Sequence, residues 1–261
     1  MNLTMNSKFS TILWVILLAL TLSACAGKRK QEPVSVTQNA QAMYAEAKRV
    51  LDSGLYNRAI EMLQAVENRY PFGPMARQVQ LDIIYAYYRA NNLPQAIANI
   101  DRFIRLNPNH PDLDYVYYMR GLANLKADEN AFQSFFGIDQ ADRDLASTRQ
   151  AFDDFRILIT SYPDSKYSAD ARIRMQHIRE TLARHELLVA DYYMRRGAYL
   201  AAANRGKYIV EFFRESPQVE QALELMVQGY DKLGLEKLRD DAYEVLKLNF
   251  PNNRTRISSR S

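Results

Sequence analysis

The 261-residue chain has little cysteine, histidine, tryptophan, glycine or proline: one Cys, three His, one Trp, nine Gly and nine Pro. With Cys25 alone, no intramolecular disulfide can form, so a packed core must hold the fold. Three histidines leave little material for metal or acid–base chemistry. His110 lies between Pro108 and Pro111, in a turn. His177 and His185 are two helical turns apart, too far to share a metal, with no cysteine or carboxylate cluster beside them. No GxSxG, Walker A, GxGxxG or HExxH pattern occurs. Asp139, Asp142 and Asp144 lack the glycine and closing glutamate of a calcium loop. Asp153 and Asp154 read as a solvated face whose charge suits the start of a helix. These absences argue for a non-catalytic protein with no metal or cofactor. Excess charge of one sign is also missing. Lys and Arg number 34 against 30 Asp and Glu, which gives no argument for nucleic acid. The only long apolar run, Ile12 to Leu22, is too short to span a hydrocarbon core of ~30 Å.

That run belongs to a leader. Lys8 supplies a positive start, and Leu22-Ser23-Ala24-Cys25 follows the apolar stretch at once. The four residues resemble the bacterial lipobox. The resemblance implies that residues 1–24 are a signal peptide and that Cys25 becomes a tri-acylated N-terminus. Several acyl chains anchor a domain durably, because each buried methylene contributes ~0.8 kcal/mol. No aspartate follows Cys25. By the rule for such lipoproteins, this points to the outer membrane, with the domain facing the periplasm. Residues 25–38 are polar, carry Lys28, Arg29, Lys30 and Pro33, and read as a flexible tether.

From about Asn39, apolar residues recur at helical spacing, and the helices come in pairs. Ala47 is followed by Gly54, Tyr56, Ala59, Leu63, Val66 and Pro71. Ala96, Ile100, Phe103 and Pro108 repeat the later offsets, as do Ala151, Phe155, Leu158 and Pro163. Gly121 takes the small position of the third unit, and about 18 residues separate its two helices. Ala190, Tyr193, Gly197, Tyr199 and Ala202 mark a fourth unit. Tyr230, Gly234, Tyr243, Leu246 and Pro251 mark a fifth, with Arg239 where alanine is expected. This is the tetratricopeptide pattern. The expected fold is therefore all-α: a solenoid of five helix-turn-helix repeats with an insertion in the third. Small residues let paired helices approach, glycine permits the turn, and proline closes the second helix. A lone hairpin cannot bury its apolar face, so neighbours must stack. Residues 167–196 predict one or two long helices. Residues 252–261 lose apolar content and read as a disordered basic tail.

Stacked hairpins curve, and their first helices line the concave face where peptides dock. Tyrosine, with 17 copies, suits such a face through its apolar ring and polar tip. That face should carry several of Tyr44, Tyr85, Tyr87 and Tyr88, with Tyr44, Tyr85 and Tyr88 as the candidate peptide contacts; Tyr85, Tyr87 and Tyr88 span too much of a helix for all to be core. The loop Asn68 to Pro74 offers Tyr70 and Phe72 as further peptide contacts. Phe132, Phe135 and Phe136 in the insertion are either buried or offered to a partner.

Several segments are more specific than the repeat pattern: Asn68 to Pro74 (NRYPFGP), Gln78 to Tyr88 (QVQLDIIYAYY), Asp101 to Pro108 (DRFIRLNP), Met119 to Leu122, and Phe135 to Asp144 (FFGIDQADRD). They closely resemble the BamD family of β-barrel assembly lipoproteins. The resemblance implies a periplasmic scaffold. Repeats 1–3 (39–166) would receive targeting segments of unfolded β-barrel proteins. Repeats 4–5 (167–251) would face the barrel subunit BamA, with BamC and BamE as further partners. Gly197 to Arg205 resembles the family segment facing BamA, which makes Arg205 the candidate ionic contact. The alternative is a repeat lipoprotein that coordinates cell-envelope or division enzymes.

Overall fold

The computed structural model describes residues 36–134 and 144–256. Among them stand ten helices and no strand: α1 (Val36–Asp52), α2 (Tyr56–Arg69), α3 (Ala76–Arg89), α4 (Leu93–Leu106), α5 (Leu113–Ser134), α6 (Ala146–Ser161), α7 (Ser168–Arg195), α8 (Tyr199–Phe212), α9 (Val219–Lys232) and α10 (Glu236–Asn249). Each helix packs on the one before and the one after. First helices of neighbouring repeats also touch, α3 against α5 and α7 against α9. This is the all-α solenoid of five hairpins expected from the repeat spacing.

The spacing works through close contact at each crossing. Ala47, Ala59, Ala96, Ala151, Ala190 and Ala202 are wholly buried. In the third repeat the approach is tighter still. A Cβ on Gly121 would lie 2.5 Å from Phe155 Cε1, so only glycine fits beneath that ring. Turns within repeats need a left-handed residue. Gly54, Gly197 and Gly234 supply it, with φ of 82°, 73° and 68°. Asn91 does the same in the second repeat with φ of 59°, asparagine being among the few side chains that tolerate this region.

Second helices end alike. Tyr70, Asn107, Tyr162 and Phe250 take φ near −130° while their N–H still bonds back to the last turn. Each precedes a proline, which disfavours the helical region for the residue before it. Phe213 adopts the same shape although Arg214 follows it, so packing also enforces the break.

The core is serial. One buried cluster joins repeats 1 and 2 around Leu63 and Ile83, and the next joins 2 and 3 around Phe103 and Val116. Phe155 and Ile178 centre the third cluster, and Ile209 and Leu225 the fourth. Each repeat is thus completed by its neighbour.

Four local expectations are corrected, and a fifth is narrowed. Helix α1 begins at Val36, so the last three residues of the tether are helical. No breaker follows Pro33 to delay the start. Helix α5 runs on to Ser134, so the third-repeat insertion begins as a continuation of the helix rather than as a loop. Residues 168–195 form one helix, the simpler of the two expected outcomes, with mostly apolar buried positions from Ser168 to Ala190. Asn253, in the expected disordered tail, is held: its side-chain nitrogen donates to Glu220 (2.8 Å) and Glu224 (2.5 Å), and its carbonyl accepts from Lys247. Asp154 is not on a solvated face. It is wholly buried and accepts from Arg120 Nε (2.9 Å), Asn124 (3.1 Å) and Gln150 (3.1 Å). Arg120 also reaches Asp101 at 2.8 Å, tying α4, α5 and α6 together. Helical periodicity places Asp154 one residue from Asp153, but only the neighbouring helix supplies a cation to bury with it. Cys25, the leader, Phe135, Phe136, Asp139, Asp142 and residues 257–261 lie outside the described residues.

Candidate functional site

The first helices of repeats 1–4 present a run of tyrosines linked by charged groups. Tyr44 on α1 is half-buried, and its hydroxyl donates to Asp82 on α3 at 2.7 Å. Asp82 is buried, and Lys48 approaches it at 3.6 Å while also pairing with Asp52 at 3.3 Å. Burial and the bond to Asp82 push the Tyr44 phenol well above its ordinary range, so it stays a donor. A second clasp joins repeats 3 and 4. Tyr118 on α5 donates to Asp170 on α7 at 2.7 Å, and Arg174 reaches the same carboxylate at 2.5 Å. Burial acts to raise the Asp170 pKa. The Tyr118 hydroxyl and Arg174 outweigh it and hold the carboxyl below the usual range.

Between the clasps the rings adjoin. Tyr118 stacks on Tyr167 with centroids 4.8 Å apart, and Tyr115 lies 5.8 Å from the same ring. Burial pushes the Tyr115 phenol up, and Tyr167, Asp82 and Tyr85 add to the effect. On α3, Tyr85 and Tyr88 are half-buried. Arg89 lies over the rings of Tyr56 (4.8 Å) and Tyr85 (5.5 Å), and Lys126 lies over Tyr88 (5.0 Å). Tyr87 turns away into the core, where its hydroxyl accepts from Gln64 at 2.8 Å.

The structure therefore gathers Tyr44, Tyr85 and Tyr88 on one wall and separates the other two candidates from them. Tyr70 packs on the core of repeat 1, beneath Arg69. Phe72 is 99% exposed at the tip of the linker between repeats 1 and 2. Sequence reasoning missed Tyr115, Tyr118 and Tyr167. The signal was present for the first two: Tyr115 and Tyr118 repeat the three-residue spacing of Tyr85 and Tyr88 on the next first helix.

Arg205 projects from α8 and donates to Glu186 of α7 at 2.8 Å. Glu186 is buried, and Arg149 of α6 stands 3.8 Å from its other oxygen. The guanidinium is thus engaged within the chain, though it remains 44% exposed. Repeats 4 and 5 also carry exposed apolar side chains. Leu200, Tyr208 and Phe212 follow one face of α8, and Leu238, Val245 and Leu248 lie along α10. Among the described residues, no cluster of three His, Cys, Asp or Glu side chains could hold a metal ion, and no helix is long and apolar enough to cross a membrane.

Comparison with known proteins gives the family. The sequence profile of the YfiO family, described as "Outer membrane lipoprotein", matches residues 37–246. The chain belongs to the YfiO family. That match runs from the first turn of α1 into the last turn of α10, so the whole solenoid is the family's unit. A YfiO relative from Neisseria meningitidis is 40% identical over 245 residues, covering 93% of this chain and 92% of its own length. One from Vibrio cholerae is 38% identical over 242 residues, covering 93% and 99%. Both are named outer membrane protein assembly factor BamD. A solved tetratricopeptide repeat protein from Parabacteroides merdae aligns with 83% of this YfiO-family chain and 68% of its own, at 14% identity and a TM-score of 0.38.

Proposed function

We propose that this chain is an outer membrane protein assembly factor that works as a non-catalytic scaffold. The observation that carries the reading is the match to YfiO relatives named as such factors over nearly their whole length. In this reading, repeats 1–3 receive extended segments of unfolded β-barrel proteins on the tyrosine wall. Half-buried tyrosines suit such docking, because a ring already fixed by its neighbours loses little entropy when a peptide settles on it.

Repeats 4 and 5 then face the assembly machinery. Its barrel subunit BamA is the first partner, with BamC and BamE as further ones. The exposed apolar faces of α8 and α10 favour a folded protein surface there, since apolar side chains clustered on a surface mark contact sites. Arg205 would exchange or share its Glu186 partner on docking. Lipid on Cys25 would hold the solenoid at the periplasmic side of the outer membrane.

The test is depletion of the protein in its own cells, with quantitation of β-barrel proteins in the outer membrane. Their levels should fall while cytoplasmic-membrane proteins hold steady. Unchanged barrel levels would overturn the assembly role. In that event, capture of cell-wall or division enzymes without BamA would support the alternative scaffold.

A further inference from the structure

Cations carried by the first helices are met in two ways. Lys48, Arg120 and Arg174 are matched by carboxylates of the same chain. Arg89 and Lys126 are not: among the described residues, neither has an aspartate or glutamate oxygen within 4.0 Å. Both are held instead on tyrosine faces. Arg89 lies against Tyr56 and Tyr85 and donates to the Tyr85 hydroxyl at 2.5 Å. Lys126 lies on Tyr88. Lys166 sits the same way on Tyr167, 5.0 Å from its centroid.

Ring contact orients a cation without neutralising it. A cation over a π face keeps its formal charge and leaves its outer N–H donors free. Part of the Arg89 charge is met by the carbonyl end of α3, because Arg89 is in its last turn. Lys126 lies well inside α5 and has no helix terminus to complement. The two cations also reach Tyr85 and Tyr88 from different sides. Arg89 leans toward Tyr56 of repeat 1, and Lys126 comes from repeat 3. An extended segment bearing acidic side chains along its length can offer a carboxylate to each.

We propose that the Tyr85–Tyr88 edge is an acidic-peptide subsite, in which Arg89 and Lys126 receive aspartate or glutamate side chains of an extended client while its apolar side chains pack on the tyrosines. The proposal rests on the reading of the wall as the client-binding face. It adds a charge requirement that the reading by itself does not contain.

The test is fluorescence anisotropy with the full lipidated chain in detergent micelles. Three fluorescein-labelled peptides of alternating apolar pattern serve as probes: one with two aspartates and an amidated C-terminus, its Asn counterpart, and the Asn counterpart with a free C-terminal carboxylate. The acidic peptide should bind about 10-fold more tightly than the amidated Asn peptide at low salt. The advantage should shrink as salt rises. Arg89→Gln and Lys126→Gln should each remove about 3-fold of it, and the pair should abolish it, with helical circular dichroism unchanged. Lys126→Arg should retain it. Arg156→Gln, on the exposed face of α6, should not alter it.

Equal binding of all three peptides, weakened by Tyr85→Ala, would overturn the acidic subsite and leave the wall reading standing. Preference for the free carboxylate over aspartate would also overturn it, by assigning the cations to a chain terminus. Loss of the preference in the double Gln variant, with residual neutral binding intact, would uphold both. Failure of every peptide to respond to Tyr85→Ala would remove the wall reading itself.

Discussion

Asp154 illustrates how much one side chain depends on its surroundings. Its carboxylate is wholly buried, and burial raises its pKa, an effect that Arg120, Gln150 and Asn124 only partly offset. Removing one member of a buried charged network strands the other. Asp154→Ala should therefore destabilise the protein by about 3–5 kcal/mol in urea unfolding. Gly121→Ala places a methyl where Phe155 already sits and should cost about 1–3 kcal/mol, read by the same measurement. Asp170 carries a pH signature. Its folded pKa is depressed, so its clasp to Tyr118 contributes fully above the unfolded value near ~3.9 and is lost as pH falls through the folded value. Asp170→Asn should flatten that part of the acid-stability curve between about pH 5 and the folded pKa. An unchanged curve would show that the clasp contributes nothing. The glycine was legible as a small position from its offset in the repeat. The buried aspartate was not, because residue type and helical phase together favoured the surface, and the deciding cation lies 34 residues away in sequence.

At the scale of elements, the departures from the repeat pattern fall at ends and junctions. Arg239 replaces the small residue in α10. It pairs with Asp231 at 3.2 Å and Asp240 at 2.8 Å, in a last repeat that no further hairpin covers among the described residues. A terminal repeat can admit a long side chain where an internal one must pack on its successor. The strap after Pro251 then folds back onto α9 through Asn253. The linker between α2 and α3 shows the opposite behaviour. Tyr70 belongs to the core of repeat 1, while Phe72 is free of it. Phe72→Ala should leave the thermal midpoint within about 2 °C of wild type, since surface changes away from special features stay within about ±0.5 kcal/mol. If the linker takes part in client capture, the same substitution should weaken binding of unfolded β-barrel segments. Full retention of binding would assign the loop to other work.

The whole molecule is a serial assembly. Its helix contacts run between neighbours, so repeats 1–3 and repeats 4–5 can carry different surfaces on one scaffold. The tyrosine wall belongs to the first helices, and most of the exposed large apolar side chains belong to residues 200–248. The proposed client side and complex side would make use of that division. The proposed lipid anchor would act on the whole chain as well. Cys25→Ala should move the protein from the membrane fraction to the soluble periplasm in cells where BamA is depleted. Retention in the membrane under those conditions would refute the lipid anchor.

Repeat number, helix pairing and the places of close approach were determined by the order of residues alone. A small residue, a left-handed turn and a proline recur at fixed offsets, and these are constraints on the local chain. Family membership was legible for the same reason, in segments such as NRYPFGP and QVQLDIIYAYY. Only the tertiary structure decided which tyrosines line the wall, that Tyr87 is core, and that Asp154 is buried. It also decided which cations rest on rings rather than on carboxylates. These outcomes depend on what the next hairpin brings to the same point in space, and no local pattern encodes the partner of a side chain on another repeat.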